Sequence, residues 1–179
     1  QLILQTFKEQ QRFTSKGPYS FQRTTNWATD GVPLSGYGYP VKPVGLICSM
    51  FRPSDDATVF SYNIPANFFA VLSLEQLSEM KDIIRLSASE LEEINNLGLT
   101  IRKHLDSIGI MKHPVLGDCY AYEINGLGSY NMMDDANVPS LLSLPYLCAD
   151  KIHTRIYTNT RKYMLSANNP FYFKGKAGE

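Results

Sequence analysis

The sequence predicts an all-α fold of antiparallel helical hairpins. Two observations carry this reading. Helical periodicity runs through residues 63–86, again through 87–109 and again near 150–166, with polar, Gly- and Pro-bearing loops between. No βαβ alternation appears, which argues against a doubly wound sheet.

Taken in order, residues 1–13 place Leu2, Ile3, Phe7 and Phe13 among Gln and Lys, the pattern of a helix. Residues 14–48 are crowded with Gly, Pro, Ser and Thr and predict a long ordered loop with a short strand or two. In 63–86 Asn63 is placed to cap and Pro65 to occupy the first turn, and the apolar positions that follow predict a buried helix. In 87–109 Ser87 and Glu90 form a capping box. Leu91, Ile94, Leu97, Ile101, Leu105 and Ile108 make one apolar stripe, and Gly109 is the stop. Residues 118–124 alternate as short β-structure. Residues 138–147 predict a short helix interrupted at Pro145, and 150–166 the last helix, closed by "ANNPFYF".

Composition narrows the function. Lys plus Arg and Asp plus Glu number 17 each, so the formal charge is zero. That lacks the electrostatic footprint of a general nucleic-acid binder and gives no draw toward an anionic membrane. No apolar run reaches the ~20 residues of a membrane span. Cys48, Cys119 and Cys148 are widely spaced and read as buried thiols. The three histidines form no ligand pair, so neither a metal nor another cofactor is expected. Aromatic residues make up 12%, which suits sugar faces but suits a Tyr-rich core as well.

Two stretches carry paired aspartates. "RPSDD" places Arg52, Asp55 and Asp56 on a loop before a buried helix. Adjacent carboxylates beside an arginine can divide their protonation, one ionised and one keeping its proton, as a general acid requires. The plainer alternative is an Asx-type turn with a surface salt bridge. "MDDAN" offers Asp134, Asp135 and Asn137 as forked groups for sugar hydroxyls, with Pro139 starting the helix behind them and Asn137 capping it. Arg161, amid Thr and Asn on the last helix, could pair with a carboxylate of either motif; a surface arginine is the simpler reading. "NGLGSY" lacks the pattern of a nucleotide-binding loop.

Together "GLICSMFRPSDDATVFSYNIPANFFAV", "MMDDANVPSLLSLPYL" and "TNTRKYMLSANNPFYF" closely resemble glycoside hydrolase family 125, with "QQRFTSKGPYSFQR" and "GYGYPVKPVG" in the matching order. The resemblance implies an (α/α)6 barrel, the six-hairpin glycosidase fold, with short β-hairpin insertions. It implies a metal-independent, inverting, exo-acting α-1,6-mannosidase that acts on mannose-containing oligosaccharides or N-glycans. One carboxyl protonates the leaving oxygen while a second activates water on the opposite face. The family's acid lies in "RPSDD" and maps to Asp56 or Asp55, with Asp56 preferred. Arg52, Asp134, Asp135, Asn137 and Arg161 then fall to substrate binding.

One departure matters. The family's base is a glutamate in a Met-His-Glu-Ser-Phe motif, and no His-Glu-Ser occurs in residues 1–179. The sequence also begins at Gln1, directly on a helix. The resemblance therefore implies one partial catalytic domain, an internal segment of a longer barrel whose missing parts are its partners. Alone, such a segment is expected to expose apolar stripes, to be marginally stable and to be inert. A mannoside-binding or interaction module of the same fold, and a six-hairpin hydrolase of other glycosides, are the competing expectations.

Overall fold

The computed structural model describes residues 1–148 and 151–176. The helices are α1 (Leu2–Gln10), the single turns α2 (Pro33–Gly36) and α4 (Lys81–Ile84), the long α3 (Ile64–Glu79) and α5 (Ala88–Ile108), and then α6 (Leu144–Cys148) and α7 (Thr154–Met164). The strands are β1 (Tyr62–Asn63), β2 (Ile110–His113), β3 (Gly117–Tyr120), β4 (Glu123–Ile124) and β5 (Tyr130–Asn131). The chain is mostly helical with a few small strands, in line with the all-α expectation.

Local chemistry explains the helix ends. The Asn63 side chain accepts from the Ala66 amide at 3.0 Å, and Pro65 sits in the first turn of α3. Both halves of the Ser87–Glu90 capping box form at the start of α5. Gly109 ends α5 in a right-handed conformation. A Cβ there would stand 2.6 Å from the Leu105 carbonyl oxygen, so close approach requires the glycine.

Four boundaries differ from the sequence expectation. The first helix stops at Gln10, because Arg12 turns to positive φ. The helix predicted over 63–86 breaks at Met80, and Arg85 closes α4 in the left-handed region. Pro145 sits in the first turn of α6 instead of interrupting a helix, since Pro is tolerated there. The last helix runs Thr154–Met164, shorter than the predicted 150–166: residues 151–153 are not helical, and residue 150 lies outside the described residues.

The apolar core runs from Leu4 to Met164. Its centre is the pair α3 and α5, where Phe68, Val71 and Leu74 face Ile94, Leu97, Ile101 and Leu105. Strands β2 and β3 form an antiparallel hairpin against α7, joined by the Tyr120 amide donating to the Thr160 hydroxyl at 2.9 Å. A second antiparallel sheet has the order β1-β4-β5 and pairs Asn63 with Glu123 and Glu123 with Asn131. β1 leads straight into α3, so this sheet anchors the loops that carry the aspartates.

Candidate active site

"RPSDD" forms a tight hairpin. Phe51 and Ala57 bridge antiparallel, the Arg52 amide donates to the Asp56 carbonyl at 2.8 Å, and the Asp55 amide donates to the Arg52 carbonyl at 3.0 Å. Asp55 occupies the left-handed region at φ 66°, which Asp tolerates better than most residues. It is exposed at the tip. Asp56 is partly buried, and its carboxylate accepts from the Ser54 hydroxyl at 3.1 Å.

Arg52 points inward. Its Nε donates to Glu123 Oε1 at 2.6 Å and its Nη2 to Oε2 at 3.1 Å, a bidentate pair with both side chains buried. Burial opposes the guanidinium charge, but Glu123 outweighs it and holds Arg52 above its ordinary range. Asp56 adds a smaller attraction. The Arg52 guanidinium lies 5.8 Å from the centre of the Tyr122 ring.

Tyr122 links the two aspartate motifs. Burial raises its hydroxyl pKa, and Asp135 and Asp134 raise it further, so both carboxylates lie within electrostatic reach. Its hydroxyl and the Asn63 amide nitrogen are buried neighbours that do not meet in hydrogen-bond geometry.

Asp134 is almost fully buried. Its Oδ1 accepts from the Ala136 amide at 3.0 Å and its Oδ2 from the Leu142 amide at 3.0 Å. Asn169 of "ANNP" clamps its backbone from both sides, at 3.2 and 2.9 Å. Burial pushes the Asp134 carboxyl up to about 6; the two amides pull the other way and do not offset it. Asp135 accepts from the Asn137 amide at 3.1 Å. "MDDAN" is thus a pair of successive Asx turns. Asn137 is exposed and does not cap, because α6 begins only at Leu144, and Pro139 does not start a helix.

Arg52, Asp134 and Asp135 all act electrostatically on Tyr122, Asp56 acts on Arg52, and Glu123 pairs with Arg52. Arg161 stays on the exposed side of α7. Among the described residues it makes no ion pair with either motif, although Tyr157 feels both Arg161 and Asp134. Sequence reasoning gave Glu123 no role. The available signal was an acidic residue inside "YAYEIN", an apolar β-stretch in which a carboxylate needs a buried cation. Among the described residues no group of three or more His, Cys, Asp or Glu is disposed to hold a metal, and no helix is long and apolar enough to cross a membrane.

Glycosidic cleavage by acid and base asks a protein for two placed carboxyls and a grip on hydroxyls. A helical scaffold that presents carboxylates, an arginine and a tyrosine on neighbouring loops suits the glycoside hydrolases as a class. Sequence comparison narrows the class: over residues 1–179 this chain belongs to the metal-independent alpha-mannosidases, glycoside hydrolase family 125. It is 45% identical over 177 residues to the meiotically up-regulated gene 157 protein of Schizosaccharomyces pombe, across 96% of this chain and 34% of that protein. It superposes with TM-score 0.90 and 33% identity on a Streptococcus pneumoniae metal-independent alpha mannosidase in a non-productive complex with alpha-1,6-mannobiose. That match covers 98% of this chain and 41% of the bacterial one. The chain therefore spans well under half the length of these two relatives.

Proposed function

We propose that residues 1–179 carry the acid side and part of the sugar-binding cup of an exo-acting, inverting α-1,6-mannosidase. The observation that supports it most is the likeness, along nearly the whole chain, to a mannosidase captured with α-1,6-mannobiose. In this reading the chain is part of an (α/α)6 barrel whose other segments complete the cup.

Asp56 protonates the leaving glycosidic oxygen, with the exposed Asp55 beside it as the alternative acid. Arg52 orients the hairpin. Asp135 and Asn137 present their side chains to mannose hydroxyls from the second loop, while Asp134, with both oxygens taken by amides, holds that loop in shape. Arg161, exposed on α7, is the remaining candidate for binding the glycan. In this reading the activating base is the glutamate of the family's Met-His-Glu-Ser-Phe motif; no His-Glu-Ser occurs in residues 1–179.

The test is mannose release from α-1,6-mannobiose with the product anomer followed by NMR. The natural protein containing these residues should release β-mannose, and Asp56→Asn should lower kcat/KM by about 10²–10⁴-fold. α-Mannose as first product would overturn the inverting mechanism. Full activity of Asp56→Asn would move the acid to Asp55. The lack of a His-Glu-Ser motif in residues 1–179 favours a second reading for the chain taken alone, a mannoside-binding module without turnover. Binding of mannobiose by residues 1–179 with no release of mannose would support it.

A further inference from the structure

Glu123 has no assigned role, yet it is among the most constrained side chains in the molecule. It has no exposure to solvent. Its Oε1 accepts from Arg52 Nε, and its Oε2 accepts from Arg52 Nη2, from the amides of Val59 and Phe60 at 3.2 and 3.3 Å, and from Asn131 Nδ2 at 3.3 Å. These donors come from both ends of the segment that carries the aspartates and from strand β5. One carboxylate thus ties the hairpin to the sheet.

The electrostatics add a second function. Arg52 and Asp56 face each other across the hairpin, the Arg52 amide donating to the Asp56 carbonyl at 2.8 Å, and their charges attract. A bare guanidinium beside a carboxyl favours the ionised form, whereas a general acid must keep its proton. Glu123 removes that conflict by neutralising the cation. The other charged groups near the pair are Asp55, next in the chain to Asp56, and Asp134 and Asp135, which act on Tyr122; Asn131 and the two amides are neutral donors.

We propose that Glu123 is a positioning residue for the acid: it clamps the hairpin bearing Asp55 and Asp56 and cancels the Arg52 charge beside Asp56. This rests on the reading of Asp56 as the acid, and the test separates the two. The pH dependence of kcat/KM on α-1,6-mannobiose is measured for the natural protein containing these residues, for Glu123→Gln, and for the double variant Arg52→Gln with Glu123→Gln. In Glu123→Gln the alkaline limb should move to lower pH, because the uncovered guanidinium favours loss of the acid's proton. In the double variant it should return toward the wild-type position, whatever the loss in kcat. A limb that stays put in Glu123→Gln overturns the charge-cancelling role, since a purely structural residue would lower the rate without moving it.

Amide hydrogen exchange in the same proteins needs no activity. Exchange at Val59 and Phe60 should rise about tenfold in Glu123→Gln while the centre of α5 stays protected. Unchanged exchange there overturns the clamp even if the enzyme is active. A wild-type protein that releases no mannose refutes the functional reading, and the exchange result still decides the clamp.

Discussion

At the scale of single residues, adjacent aspartates turn out to serve two different ends. In "MDDAN" both carboxylates accept amides two residues on, so the pair shapes a loop. In "RPSDD" the backbone closes the turn and leaves the Asp55 and Asp56 side chains facing outward or toward Ser54. The Asx-type turn weighed from sequence for "RPSDD" thus forms in the other motif, where helix capping was expected. Asp134 gives a pH prediction. Its carboxyl titrates near 6 when folded, above the ordinary 3.8, so the native state binds more protons than the unfolded state between those values. Its contribution to stability is full below about pH 4 and declines as pH rises toward 6, by on the order of 2–3 kcal/mol. Urea unfolding at pH 4 and pH 7 should show wild type losing more stability than Asp134→Asn by about that amount. Equal losses would mean that the carboxyl ionises normally despite its burial.

Among the elements, α3 and α5 were the most legible, and for a local reason. Their caps and stripes are written within a few residues of each other. Ser87→Ala removes half of the capping box and should cost about 1 kcal/mol in denaturant unfolding. A loss below a few tenths would show that packing of α5 on α3 holds the helix start by itself. The β-segment was legible in kind but not in role. From Cys119 to Asn125 every residue is buried, so the two-residue alternation that marks an exposed face is lost. Tyr120, Ala121, Tyr122 and Glu123 then look alike in burial, and only partners from distant parts of the chain separate their tasks.

For the molecule as a whole, the exposed apolar side chains are the notable feature. Leu2 on α1, Ile83 on α4, Leu99 on α5 and Tyr146 on α6 stand 80%, 79%, 69% and 88% exposed. Residues 1–179 expressed alone should self-associate at micromolar concentration. Sedimentation showing a clean monomer that unfolds cooperatively would contradict this. The family, the mainly helical class and the caps of α3 and α5 were set by the sequence itself, because periodicity, capping residues and ordered motifs act over short stretches. The helix break at Met80, the Asx turns of "MDDAN" and the Arg52–Glu123 pair were decided only in three dimensions. The last shows why most clearly: the two charges lie 71 residues apart, and what makes each necessary to the other is the water that folding removes from both.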